Sequence, residues 1–373
     1  MVRILHIADV HLNASFSSFG ALAEARRDEQ LARFQDLPRA ARQEKIDAVV
    51  VAGDLFDGPG TPAHIGAAVR EVFRRIDEAG IPVFVVPGNH DALFIPGSPY
   101  RDGMGAAHLF RDPAFGTPVR VEGDGAPLFV YGLAHDPARV PDPLGTFRRA
   151  EAEGVHLVLL HGSVPDAPHW KGSPNALSLP QEALAAIDAD YLALGDYHRF
   201  RGPDAFDGAP ACYAGSFAAL DLTETGARGY LMVDLAPGEP PAIRHLDAGV
   251  TPVFDVGTVD VSGCADDLAV AARVADSTPD GAIPVVRLVG EPAFPLDIGL
   301  VETELCARFG HAGVRDESRF FSSARIEELA EGDTVVGHTV RLGRARIAET
   351  AGEVERRAAE QALRIAVRAL QVR

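Results

Sequence analysis

The sequence predicts an α/β layered fold, and three observations carry that prediction. Short apolar, β-branched runs alternate with longer amphipathic stretches from the start of the chain to about Leu246, the pattern of helices laid against a sheet. Most of the runs stop at Gly, Asp or His, as strands do when they exit into loops. Asp9, Asp54, Asn89, His161 and Asp196 each fall just after such a run, and in open α/β folds sites form at the carboxyl ends of strands.

Taken in order, the strands are expected at Arg3–Ala8, Ala48–Ala52, Pro82–Val86, Leu128–Tyr131, His156–Leu160, Tyr191–Leu194, Ala211–Tyr213 and Tyr230–Asp234. The stretches between them predict helices over Ala21–Glu44, Pro62–Ala79, Leu144–Glu153 and Pro180–Ile187. A Pro/Gly-rich turn follows at Ala236–Pro241, and the texture changes near Gly249. Val250–Leu300 reads as a small α+β unit, with a helix over Asp266–Ala275 and its clearest strand at Pro284–Gly290. From about Glu331 the chain is rich in Ala, Arg and Glu, and Val354, Ala358, Ala362, Ile365, Val367 and Leu370 keep approximate helical spacing. The expected divisions are therefore 1–248, 249–330 and 331–373.

Composition narrows the class. The chain has 373 residues, 47% hydrophobic and 24% charged, which is ordinary for a globular protein. No apolar run approaches the roughly 20 residues of a membrane helix, so no membrane association is expected. The N-terminal MVRILHIADVHL reads as a buried strand without the features of a signal peptide, and the expected location is cytoplasmic. Three scattered cysteines, Cys212, Cys264 and Cys306, form neither a disulfide framework nor a Cys-rich zinc site. A formal charge of −18 argues against a generally adhesive nucleic-acid binder, although bound cations would cancel part of it at a carboxylate-built site.

The chemistry lies in the strand ends. IADVHL presents Asp9 and His11, alternate residues that can share a side. VVVAGDLFDG ends an apolar run at Gly53, Asp54 and Asp57; an ionised Asp has two oxygens and can bridge two cations. VVPGNHDAL offers Asn89, His90 and Asp91 in succession, HLVLLHGS places His161 after a buried run, and ALGDYHRF gives Asp196 and His198. Each piece alone could be turn chemistry. Together they supply mixed carboxylate, amide and imidazole ligands for two divalent ions, a set suited to Mn²⁺, Fe²⁺ or Zn²⁺ better than Ca²⁺.

The series HIADVHL, GDLFD, PGNHD and ADYLALGDYHR, in this order, resembles the calcineurin-like metallophosphoesterase superfamily, over roughly Arg3 to Asp234. More narrowly, CYAGSFAALDLTETGARGYLMVDL resembles the SbcD-type DNA-repair exonucleases, including their YhaO-like branch. The resemblance implies a layered β-sandwich flanked by helices, followed by a small α+β capping domain and a C-terminal helical segment. It implies that Asp9, His11, Asp54 and His198 hold one metal, and that Asp54, Asn89, His161 and Asp196 hold the other, with Asp54 bridging. His90 would stabilise the transition state or protonate the leaving oxygen, and Asp91 would orient and charge it. Two such ions would clamp the phosphate and lower the pKa of the attacking water. Arg199 and His135 are expected near the rim, where either could contact phosphate; a surface salt bridge is the plainer fate of Arg199.

One position departs from the family pattern, which has GHxH at the last motif where this chain has GDYH. Asp196 as a ligand would add a negative charge and make the site harder, favouring Mn²⁺ or Mg²⁺ over Zn²⁺. The alternative is that Asp196 stands behind the ligands and the second metal is loosely held.

The resemblance implies a metal-dependent DNA nuclease working with an SbcC-like coiled-coil ATPase, for which the C-terminal helix with Arg356, Arg357, Arg364 and Arg368 is a candidate docking element; packing on its own chain is the other use for it. A phosphodiesterase or phosphatase for a nucleotide or other small phosphate ester is the second expectation, favoured slightly by the acidic charge. A non-enzymatic scaffold is the third, and would require that no divalent metal binds.

Overall fold

A computed structural model describes residues 1–123, 125–136, 138–165, 176–294, 296–319 and 323–371. The chain divides into two compact units, Met1–Pro252 and Val253–Arg373.

The first unit contains strands β1 (Val2–Ile7), β2 (Ala48–Ala52), β3 (Val83–Val86), β4 (His108–Leu109), β5 (Val119–Val121), β6 (Leu128–Gly132), β7 (Val155–Ser163), β8 (Leu177–Ser178), β9 (Tyr191–Gly195), β10 (Ala211–Tyr213), β11 (Gly229–Leu235) and β12 (Ala242–Asp247). They form two sheets, in the orders β12-β11-β1-β2-β3-β4 and β10-β9-β7-β6-β5, with β8 beside β7. The inner strands of each sheet are parallel, and β11, β12 and β5 run antiparallel to their neighbours.

The period-two alternation of strands sorts side chains into layers. Ile4, Ala8, Val50, Ala52 and Val86 pack against Val130, Leu157, Leu159 and Ala193 between the sheets. Leu5, Ile7, Val49, Val51, Val83 and Val85 face a separate core shared with the helices. Helix α3 (Ala63–Asp77), which follows α1 (Ala23–Gln35) and α2 (Leu37–Gln43), buries Ile65, Val69, Val72, Phe73 and Ile76 there, one stripe at helical spacing. The other sheet buries Tyr131, Val158, Leu160, Leu192 and Leu194 on its outer side, where the short α4 (Gln181–Ala185) also contributes Leu184.

Register places the strand ends in step. Ile7 pairs with Val51, Val51 with Val85, and Ala52 with Val86; in the second sheet His161 pairs with Gly195. The loops leaving β1, β2, β3 and β9, with the end of β7, therefore reach one rim.

Two expectations are corrected, and an edge strand is added. The helix over Leu144–Glu153 does not form: one turn of 3₁₀ helix at Leu144–Thr146 gives way to extended backbone at Phe147. Phe147 instead packs edge-on against Tyr131, and the Ala150 N–H is taken by the Tyr131 hydroxyl at 2.9 Å. The helix over Ala21–Glu44 divides at Asp36 into α1 and α2, because Pro38 in the first turn of α2 lacks the N–H that would continue the ladder. The edge strand β12 was not expected, since its polar AIRHLD lies largely at the surface.

The second unit opens with a parallel sheet, β13 (Val253–Asp260), β14 (Ile283–Val289) and β15 (Gly313–Asp316). Helices α5 (Asp267–Asp276) and α6 (Ile298–Phe309) bury Val270, Val274, Val301 and Leu305 in its core. Three helices follow: α7 (Ser323–Glu331), α8 (Val335–Ala348) and α9 (Glu353–Gln371). The Thr334 hydroxyl caps α8 by accepting the Gly337 N–H at 3.0 Å, and Val340 of α8 packs against Leu363 and Val367 of α9. The side chains of Arg357, Arg364 and Arg368 lie outside the described residues. Among the described residues no helix is long and apolar enough to cross a membrane.

Candidate metal centre

At the shared rim the backbone adopts conformations that L-residues rarely take. Asp9, His11 and Asp54 have φ of 48°, 49° and 48°, and Asp196 has φ of 107°; each such non-glycine conformation costs on the order of 1–3 kcal/mol. The His11 N–H donates to the Asp54 carbonyl at 2.9 Å and the Asp9 N–H to the Gly53 carbonyl at 3.2 Å, so the first two loops are laced together. A Cβ at Gly88 would lie 2.0 Å from Asp54 Oδ1, and one at Gly195 would lie 1.9 Å from the Ala52 carbonyl oxygen. These glycines are there for close approach.

The donor atoms converge. His161 Nδ1 donates to the Ala52 carbonyl at 2.9 Å, which leaves Nε2 facing Asn89 Oδ1 at 3.0 Å, Asp54 Oδ2 at 3.5 Å and Asp196 Oδ1 at 3.6 Å. His11 Nε2 also lies 3.5 Å from Asp54 Oδ2, so one carboxylate oxygen is equidistant from the two imidazoles. His198 joins Asp9 and His11 in a second cluster whose donor atoms all lie within 4.8 Å of one another. The Ser163 hydroxyl donates to Asp196 Oδ2, holding that side chain with its other oxygen toward His161.

Electrostatics match the crowding. Burial pushes the Asp9 carboxyl up to about 7, against the pull of His198 and His161. Burial alone would lower His161, but the carboxylates of Asp54, Asp9 and Asp196 push it up to about 9. Burial would raise Asp54, yet His161, His11 and His90 hold it below the usual carboxylate range. Among the described residues the buried His11 Nε2 has no hydrogen-bond partner. A partnerless imidazole nitrogen beside a shared carboxylate, among neutral and anionic donors, is what a divalent cation would complete. The separations of 3.0–3.6 Å fit adjacent ligands about 2.0–2.2 Å from one ion.

The remaining expected residues sit around this cluster. His90 is exposed at the rim, with Nδ1 3.1 Å from the Asp57 carbonyl oxygen and its ring edge-on to His11 at 4.7 Å. Asp91 is placed differently from the expectation that it orients His90. Its buried carboxylate accepts the Gly88 N–H at 2.7 Å, the Phe56 N–H at 3.1 Å and the Tyr100 hydroxyl at 2.9 Å, and burial with the nearby Asp54 charge pushes it up to about 6. It stitches the loop after β3 to the loop after β2. Arg199 is exposed and makes no ion pair among the described residues; it lines a cleft of about 260 Å³ with His198, Glu224 and Arg228. His135 shares a small cavity with Asn89 and His161.

Two residues escaped the sequence reading. Glu224 Oε1 lies 2.5 Å from His198 Nδ1, and Asp57 Oδ1 lies 3.2 Å from His11 Nδ1. Asp57 was visible in GDLFD without a role, and Glu224 lies in the acidic-glycine segment after the YAGS turn.

The chain matches the sequence profile of the calcineurin-like phosphoesterase family over residues 2–200. It is 27% identical over 243 residues to the uncharacterized metallophosphoesterase YhaO of Bacillus subtilis, covering 64% of this chain and 58% of that protein. It is 30% identical over 323 residues to the DNA double-strand break repair protein Mre11 of Haloferax volcanii, covering 83% of this chain and 67% of that one. To the SbcD component of the nuclease SbcCD of Bacillus subtilis it is 30% identical over 274 residues, covering 64% and 67% respectively. The matches thus span from 58% to 67% of the length of these relatives. With the profile matching more than half of the chain and the strand-end donors gathered at one rim, this protein belongs to the calcineurin-like phosphoesterase family.

Proposed function

We propose that the protein is a divalent-metal-dependent phosphodiesterase acting on DNA as an SbcD-type nuclease. The observation that carries this reading is the Asp54 oxygen equidistant, at 3.5 Å, from His11 Nε2 and His161 Nε2, as a donor shared between two ions would be. Asp9, His11, Asp54 and His198 would hold one ion, and Asp54, Asn89, His161 and Asp196 the other. The carboxylate-rich set favours Mn²⁺, with Fe²⁺, Zn²⁺ or Mg²⁺ as alternatives. Two divalent ions bound there would act as Lewis acids on the phosphate oxygens and lower the pKa of the attacking water.

The chain's own residues do the rest. The Asp57 carbonyl holds His90 Nδ1 and leaves Nε2 to face the leaving oxygen, which must gain a proton as its bond to phosphorus breaks. Arg199, exposed beside His198, supplies a cation for a flanking phosphate. DNA as substrate is supported by the relatives named for break repair and nuclease action. By the same analogy an SbcC-like coiled-coil ATPase is the proposed partner, and the cytoplasm the proposed location. Residues 1–248 would be the catalytic domain, 249–330 a cap and 331–373 a helical segment for docking.

The formal charge of −18 favours the second reading, a phosphodiesterase or phosphatase for a nucleotide or other small phosphate ester. A side-by-side assay with Mn²⁺ on bis-p-nitrophenyl phosphate, a cyclic nucleotide and linear duplex DNA separates the two. Cleaved DNA supports the nuclease; intact DNA with a small ester turned over ends that reading for the isolated chain.

A further inference from the structure

The three histidines of the cluster are held from behind in two different ways. His161 Nδ1 rests on a backbone carbonyl, that of Ala52 at 2.9 Å. His11 Nδ1 and His198 Nδ1 instead meet carboxylates, Asp57 Oδ1 at 3.2 Å and Glu224 Oε1 at 2.5 Å. Asp57 is held through its backbone and Glu224 through its carboxylate. The Asp57 N–H donates to the Leu12 carbonyl at 3.1 Å, which fixes its loop against the one that carries His11. Glu224 Oε2 accepts the Leu220 N–H at 3.0 Å and the Ser216 hydroxyl at 3.2 Å, so its other oxygen is committed to His198.

We infer that Asp57 and Glu224 are positioning residues for a single one of the two ions, the one that would take His11 and His198. The inference rests on the metal reading above. A carboxylate that accepts the Nδ1–H fixes the tautomer with its lone pair on Nε2, sets the ring plane and raises the basicity of the ligand. A backbone carbonyl fixes the tautomer and ring without adding charge. The two ions would therefore be held unequally: one by two carboxylate-backed imidazoles, the other by His161 and three oxygen donors.

The test is calorimetric titration of the metal-free full chain with Mn²⁺, alongside thermal unfolding of the same metal-free proteins. Glu224→Gln separates positioning from packing. The amide keeps the volume and can give its oxygen to the Leu220 N–H and Ser216 hydroxyl, but it then turns an NH₂ toward His198 Nδ1. Asp57→Ala removes the acceptor from His11, whereas in Asp57→Asn the amide oxygen can still accept, without charge. We expect Glu224→Gln and Asp57→Ala each to weaken one Mn²⁺ by about 10- to 100-fold, with the other unchanged, and Asp57→Asn to lose less. Wild-type affinities for both ions in Glu224→Gln and Asp57→Ala would overturn the assignment. So would an equal loss at both ions, or a change confined to the unfolding temperature. If the wild-type chain binds no Mn²⁺, the metal reading itself fails.

Discussion

The carboxylate of Asp9 accepts the backbone N–H of Asp196 at 2.9 and 3.1 Å, tying the loop after β1 in one sheet to the loop after β9 in the other. Asp9 is fully buried, and losing its carboxylate takes the acceptor from this partly buried N–H. Asp9→Asn keeps an acceptor oxygen and Asp9→Ala does not, while both discard the charge. The alanine variant should be less stable than the asparagine variant by about 1–3 kcal/mol. Denaturant unfolding of the metal-free proteins measures the difference.

Gly88 contributes no donor atom, yet Gly88→Ala should cost activity as a ligand substitution does. Its Cβ would sit 2.0 Å from Asp54 Oδ1 and 2.4 Å from the Asp54 nitrogen, forcing the shared carboxylate aside. Overpacking of this kind costs about 1–3 kcal/mol, so the variant should fold while losing Mn²⁺. Gly116→Ala, with nothing among the described residues within 4 Å of the added atom, is the control. Metal content of the purified proteins decides the matter.

His90 and Asp91 are neighbours in sequence with opposite expected phenotypes. His90→Ala should leave the unfolding midpoint within about 0.5 kcal/mol of wild type, as surface substitutions do, and lower kcat by about 10²- to 10⁴-fold. Asp91→Ala strands the Gly88 and Phe56 N–H groups and the Tyr100 hydroxyl. It should cost several kcal/mol, since each unsatisfied buried donor costs about 1–3 kcal/mol. Paired measurements of kcat and denaturation midpoint separate the roles.

Asp196→His restores the imidazole of the family pattern and removes one negative charge. The ratio of Zn²⁺-supported to Mn²⁺-supported turnover should rise. Asp196→Ala should lose one ion per chain by elemental analysis. Activity lost at unchanged metal content would mean that Asp196 stands behind the ligands.

The layered fold and the strand-end residues were legible because both follow local rules. β2, AVVVA followed by Gly53 and Asp54, announces a buried strand and its exit within a few letters. Failures came where a distant partner decides. Leu144–Glu153 has acceptable helical spacing, but the Tyr131 hydroxyl claims the Ala150 N–H and Phe147 prefers an aromatic neighbour to a helical turn. The resemblance implied Asp91 as a partner of His90, whereas its bonds run to Gly88, Phe56 and Tyr100. Glu224 reaches His198 across 26 positions, a distance no spacing rule spans.

The strand that closes one side of β1 is β11, which pairs with it antiparallel from Val2↔Leu235 to His6↔Leu231. Translation must run past Leu235 before that pairing can form. Until then β1 has β2 on one side and lacks its neighbour on the other. A fragment that stops before β9 would lack Asp196 and His198, and so could not gather the whole set of donors.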